Sequence, residues 1–297
     1  MATLRDIKRR IRTVKNIAQS TRALQLVASS KMRRAQERVL AARPYAEQLQ
    51  RLLSRLALAG GLDEPQPLMH VRPLRNLGIV LVSPDRGFCG SLPGNLNRHA
   101  AQTILDELRA ASDGAFNAQE AHGNFIAVGR KGRDFAVRTQ QKLLGEFVQY
   151  GDNPDINLVR TIARVATDAY LNHEVDRVDL VYAQFISTAS QRPVTVPLLP
   201  VQPPTQTEEG HVEEYIFEPD PTTLFAELLP RYVETLIYQA MLESLASQWS
   251  AQMIAMKNAT DNATELVGDL TLTYNKARQQ AITTQILEVV AGATGNQ

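Results

Sequence analysis

The sequence predicts an α/β domain set between two long terminal helices that pair into a rod. Three observations carry that fold class. Apolar or small residues recur in steps of three and four from Leu4, Ile7, Ile11, Val14, Ala18 and Thr21 through Ala28, Met32, Ala35 and Val39 to Leu49, Leu53 and Leu56. This is a heptad seam over fifty residues long, with one polar break at Gln25. A second long pattern fills the C-terminus, where Ala259, Ala263, Leu266, Leu270, Tyr274, Ala277 and Ala281 repeat about every 3.7 residues. Between the two, short apolar runs alternate with helical stretches, which indicates a Rossmann-like βαβ domain.

In chain order, residues 1–58 form the first helix. It would be roughly 80 Å long at about 1.5 Å per residue, and it needs a partner to cover its seam. Pro44 predicts a kink or short break. Gly60-Gly61 and Pro65, Pro67 and Pro73 close the helix and open a loop. The central domain covers 74–205. It begins with a buried strand at Leu77–Val82, then a turn, SPDRGFCGSLPGN, and a helix over Leu96–Ala110. Phe125–Val128 reads as a strand, 131–142 as a helix and Phe147–Tyr150 as a further strand. Ile156–Asn172 is an amphipathic helix and Val178–Ile186 a strand. Pro193, Pro197, Pro200, Pro203 and Pro204 mark an extended, edge-like connector. The C-terminal region covers 212–297; Pro219-Asp-Pro221 starts its helix and Pro230 interrupts it. Gly268 is the one residue set against the later pattern, at about 1 kcal/mol relative to Ala.

Composition narrows the function. The chain has 297 residues, net charge +1 and a single cysteine, Cys89. That excludes an internal disulfide and a cysteine metal cluster, and it fits a reducing compartment. No apolar run approaches the roughly 20 residues of a membrane helix, and the basic N-terminus lacks a signal-peptide apolar block. Charge is unevenly spread. Residues 1–40 hold eleven Lys or Arg against Asp6 and Glu37, a balance of +9, so the rest carries about −8. Such asymmetry suits an acidic partner for the first helix.

No catalytic set can be assembled. Gly87, Gly90 and Gly94 lie between a strand and a helix, but their spacing matches neither common nucleotide fingerprint, and no Lys follows. They read as turn glycines. The basic segment from Gly129 to Arg133 could touch phosphate, yet it reads more simply as a solvated turn into a helix. Cys89 has no nearby His, and His70, His99, His122, His173 and His211 are scattered without ligand spacing. Arg9, Lys15 and Arg22 share one side of the first helix. They read as either an ordinary soluble surface or a docking stripe for acidic partner loops. Nucleic acid ranks third, because no aromatic residues interleave with the cations.

Several blocks now carry a family resemblance. IRTVKNIAQSTRALQLVASSKMRRAQ with RPYAEQL resembles the N-terminal helix of the gamma subunit of F-type rotary ATP synthases. SPDRGFCGSLPGNLN and VGRKGRDF resemble two of its internal blocks. YIFEPDP, YQAMLESLASQ, MIAMKNATDNA and LTYNKARQQAITTQILEVVAGA resemble its C-terminal helix. The resemblance implies a central stalk whose terminal helices form an antiparallel coiled coil, turned by proton flow through a membrane ring. It implies alpha and beta subunits, an epsilon subunit and the membrane c-ring as partners, with no cofactor, no nucleic acid and no direct lipid insertion. The stalk itself would be non-catalytic, placed peripherally on the cytoplasmic membrane face in a bacterium. By the same resemblance, the partner-contact residues would be Arg9, Lys15, Arg22, Leu24, Gln248, Gln252, Lys276 and Arg278. Gln248 and Gln252 stand where the family commonly has an acidic and a basic residue. Two alternatives remain: a shaft subunit of a V-type ATPase, against which Leu77–Ile186 argues, and a nucleotide-binding α/β enzyme with helical arms.

Overall fold

The computed structural model describes residues 3–61, 66–111, 123–202 and 217–294. The expected boundaries at 205 and 212, and Pro65, Pro203, Pro204, His122 and His211, lie outside the described residues. Helix α1 is Leu4–Leu56, followed by a π turn at Ala57–Gly61 and a short 3-10 turn at Pro67–Met69. The central elements are β1 (Leu77–Val82), α2 (Leu92–Ala111), β2 (Asn124–Val128), α3 (Arg130–Arg138), β3 (Lys142–Phe147), α4 (Ile156–Leu171), β4 (Arg177–Ser187) and β5 (Ser190–Leu199). Helix α5 is Pro221–Thr294, 74 residues long. The chain divides into two compact units, Met1–Ser29 with Gln252–Gln297, and Ser30–Ala251.

In the larger unit the sheet order is β3-β2-β1-β4-β5. β1 pairs parallel with both β2 and β4, β3 is parallel to β2, and β5 returns antiparallel to β4. The direction of winding reverses between β1 and β4, as in doubly wound sheets. Every residue of β1 and β2 is buried, which explains their continuous apolar runs. Leu77, Ile79 and Leu81 face α2, while Val80 and Val82 face the layer of α4, α5 and the end of α1. Leu49, Leu53 and Leu56 of α1 belong to that second core.

Local expectations shift at several elements. Helix α2 starts at Leu92 rather than Leu96, because Pro93 fits a first helical turn where no N–H is needed. Helix α3 stops at Arg138, and Gln140 turns the chain with a φ of 55°. The third strand is therefore Lys142–Phe147, not Phe147–Tyr150. It is a half-exposed edge strand without the apolar run that marked β1. The proline-rich connector is a ten-residue strand, with Pro193 and Pro197 on the sheet edge, where a missing N–H is tolerated. Neither Pro44 nor Pro230 breaks its helix; both are exposed and the helix continues through them.

A buried charge sits beneath α2. Arg177 donates to Glu107 at 2.8 Å and to Asp179 at 2.8 Å. Asp179 is fully buried, and its Oδ2 has no hydrogen-bond partner among the described residues. Burial pushes its carboxyl up to about 6, although Arg177 pulls the other way. A folded pKa above the unfolded one means the native state binds the extra proton between pH ~4 and ~6. The stability linked to this carboxyl is present below pH ~4 and lost as pH rises through ~6, by at most about 3 kcal/mol. We expect Asp179→Asn to flatten the decline of stability between pH 4 and 6 in denaturant titrations. Equal slopes in variant and parent would remove this group from the pH response.

Candidate functional site

Two surfaces carry the functional question: the carboxyl ends of the parallel strands and the paired terminal helices. At the strand ends the backbone is locked internally. Ser83 N–H donates to Val128 O at 2.8 Å, and Gly129 N–H to Phe147 O at 2.7 Å. Ser83 Oγ accepts from Gly132 N–H at 2.7 Å, and Tyr150 Oη donates to Ser83 O at 3.0 Å. Gly129 has a φ of 101°, and a Cβ there would lie 2.0 Å from Ser83 O. Asp85 accepts from Arg130 N–H at 2.9 Å and from Tyr150 N–H at 3.2 Å. The N-terminus of α3, a natural seat for a ligand phosphate, is thus filled by the protein's own carboxylate. Glycines 129 and 132 serve this close packing. Residues 129–133 were expected as a solvated turn into a helix; the helix already starts at Arg130, Gly129 and Gly132 are buried, and Asp85 caps it.

Cys89 is buried, and its Sγ–H donates to Gly87 O at 3.3 Å. Burial pushes its thiol up to about 11. A thiol held protonated makes a poor nucleophile. Among the described residues no group of three or more His, Cys, Asp or Glu could hold a metal.

Helix α5 closes the crevice where the sheet reverses. Every residue from Met241 to Ser250 is buried. Ser247 Oγ donates to Ala183 O at 2.9 Å, Ser244 Oγ accepts from Ala183 N–H at 3.4 Å, and Ser250 Oγ donates to Thr188 O at 2.6 Å. Small residues let the helix backbone approach β4 closely enough for these bonds. Trp249 is buried, and Lys31 of α1 lies 4.5 Å from its ring centroid. Lys31 also pairs with Asp152 at 2.6 Å, while Arg38 donates to Asp152 O at 2.5 Å. The loop after β3, α1 and α5 are thereby tied at one point.

The terminal helices pair in the smaller unit. Thr21 and Thr260 hydroxyls lie 2.8 Å apart. Every position of the predicted α1 seam is buried or half-buried, Gln25 included, and none is exposed. On α5 the inward line runs through Met256, Thr260, Ala263, Val267, Leu270, Tyr274, Ala277 and Ala281. Leu266, expected on that line, is 46% exposed; Val267 takes its place. In the larger unit, Lys31 lies against Trp249, whereas Tyr45, further along α1, shares a cavity wall with Thr235 and Tyr238, earlier on α5. The two helices therefore run antiparallel there.

The predicted contact residues divide into two groups. Arg9, Lys15, Arg22, Leu24, Lys276 and Arg278 are exposed. Arg9 pairs with Asp6 at 2.9 Å; Lys15, Arg22, Lys276 and Arg278 have no ion pair among the described residues. Arg9 and Lys15 join Arg5, Lys8 and Arg12 around one open depression of about 580 Å³. Gln248 and Gln252, expected at a partner-facing surface, are turned inward at 4% and 7% exposure. Their placement followed from family position, whereas on this stretch of α5 Ser244, Ser247 and Ser250 bring the helix against β4 and the turn after it.

Comparison with known proteins agrees with this geometry. A family model described as ATP synthase matches residues 3–295. The ATP synthase gamma chain of Dehalococcoides mccartyi is 46% identical over 294 residues, covering 99% of each chain. In fold, the chain resembles one from the Euglena gracilis mitochondrial ATP synthase OSCP/F1/c-ring structure in rotational state 3. That match has a TM-score of 0.64 and 17% identity, covering 98% of this chain and 94% of that chain. A chain of the Tetrahymena thermophila mitochondrial ATP synthase central stalk and c-ring structure matches with a TM-score of 0.57 and 21% identity, covering 80% of this chain and 98% of that chain.

Proposed function

The chain belongs to the gamma-chain family of ATP synthases, and from that premise we propose that its exposed cationic helix face runs against acidic loops of the catalytic ring. As a gamma chain it is the central rotor stalk of the F-type enzyme, a non-catalytic subunit that couples rotation to ATP synthesis or hydrolysis. The V-type shaft and the free-standing enzyme are set aside by that membership. The observation that carries the surface assignment is that Lys15 and Arg22 of α1 are exposed and have no ion pair among the described residues.

The mechanics follow from packing. Twisting a packed helical pair strains its seam, so torque entering at one end is delivered at the other. Small seam residues such as Ala18 and Ala28 bring the backbones close and stiffen the pair. Exposed ion pairs contribute only about 0–1 kcal/mol each, which suits a contact that must release at every step. The ring is the alpha and beta subunits; the epsilon subunit and membrane c-ring bind the sheet-bearing unit. In a bacterial cell this places the chain on the cytoplasmic membrane face, attached through the complex. No helix among the described residues is long and apolar enough to cross a membrane.

The test is charge reversal in the assembled enzyme, with Lys15→Glu and Arg22→Glu combined. Coupled pumping per ATP hydrolysed should fall by about two- to tenfold, since the two contacts are worth about 0–1 kcal/mol each. Stability should stay within about 0.5 kcal/mol, because both residues are exposed. Unchanged coupling would refute the assignment of these residues.

A further inference from the structure

We propose that the polar cavity at the carboxyl ends of β1, β2 and β3 binds a small phosphate-class anion, as inorganic phosphate or as the phosphoryl group of a small ester. The cavity has a volume of about 340 Å³, and Arg86, Arg130, Tyr150 and Gln248 line it together with Asp85 and Asp152. Ligands of doubly wound sheets sit at this end of the strands.

The charges around the cavity are unequally committed. Asp85 spends both oxygens on main-chain N–H groups, and Asp152 is held by Lys31. The guanidinium groups of Arg86 and Arg130 have neither an ion pair nor a hydrogen bond among the described residues. Guanidinium forks match phosphate oxygens and hold them with charge-assisted bonds.

Gln248 supplies an independent observation. It is 96% buried by its 4% exposure, it faces the cavity, and its amide has no hydrogen bond among the described residues. Its neighbours Ser247 and Ser250 are both bonded. The side chain is packed, yet its amide opens onto the cavity, so a ligand oxygen there would accept from its NH2 group.

Size and surroundings set the class. The volume lies at the low end of ligand pockets, roughly 300–1,000 Å³, which suits a single phosphate or small ester rather than a dinucleotide. Asp85 already occupies the helix N-terminus, so side chains from three separate elements would hold the anion.

Thermal unfolding of the full chain provides the test, with inorganic phosphate and glycerol 3-phosphate titrated against chloride and acetate at matched ionic strength. Phosphate at about ten times its dissociation constant should raise Tm by about 3 °C, and acetate should not. Preference between the two phosphates distinguishes the free ion from an ester. Arg86→Gln with Arg130→Gln should abolish the shift, and Gln248→Leu should weaken binding about tenfold while unfolding without phosphate stays cooperative. No shift in the parent chain, an equal shift with acetate, or a shift that survives the double arginine variant would overturn the proposal.

Discussion

Gly129→Ala should destabilise the sheet-bearing unit by more than about 4 kcal/mol, a size reached only by a short set of named causes. Two of those causes coincide here. The backbone at Gly129 has a φ of 101°, a conformation that L side chains rarely adopt, so any Cβ strains it. The added carbon would also sit 2.0 Å from Ser83 O and 2.8 Å from Ser83 C. Both are main-chain atoms pinned by the Ser83-to-Val128 hydrogen bond, so no flexible side chain can yield. Moving Ser83 would also disturb the bonds from Gly132 and Tyr150. The denaturant midpoint of the isolated chain reads the effect directly. A change below about 1 kcal/mol would mean the strand ends are far more pliant than the hydrogen bonds imply.

Leu53→Ala is expected to cost about 2–5 kcal/mol, the range for removing a buried leucine when its cavity cannot collapse. Leu53 is 1% exposed and packs in the core that joins the end of α1 to α4, α5 and the sheet. Its neighbours Leu49 and Leu56 are equally committed, so little can move in to fill the gap. This core fixes the end of α1 to the sheet within the larger unit. The midpoint should fall while Leu52→Ala, at 36% exposure, shifts it much less. Equal effects at the two positions would show that the contact is not specifically packed.

How far the sequence revealed the fold depended on what each segment buries. The seam of α1 was legible because one apolar stripe faces one partner, and each stripe position is at least half covered. β1 and β2 were legible because burial on both faces demands a continuous apolar run. β3 was misplaced because an edge strand needs no such run. Pro44 and Pro230 suggested breaks, yet a single missing hydrogen bond on an exposed helix face is outweighed by packing on the other side.

The site was less legible. The exposed cations, among them Lys15 and Arg22, could be read from charge pattern alone. The inward turn of Gln248 and Gln252 could not, since a polar residue in a helix ordinarily suggests a wet face. What covers Gln248 is decided by Ser244, Ser247 and Ser250 meeting β4 and the turn after it, a tertiary contact no local pattern encodes. Asp85 as the built-in cap of α3 was likewise hidden, because its two N–H donors lie 45 and 65 residues away.

The most direct measurement uses the hydroxyl pair 2.8 Å apart at Thr21 and Thr260. With Thr21→Cys and Thr260→Cys, side chains this close should oxidise to a disulfide within the assembled complex. Buried Cys89 should not compete. If the terminal helices turn together as one shaft, the bond should form nearly completely and ATP-driven rotation should match that of the reduced enzyme. A pair that fails to cross-link in the complex, or a cross-link that stops rotation until it is reduced, would contradict a single shaft.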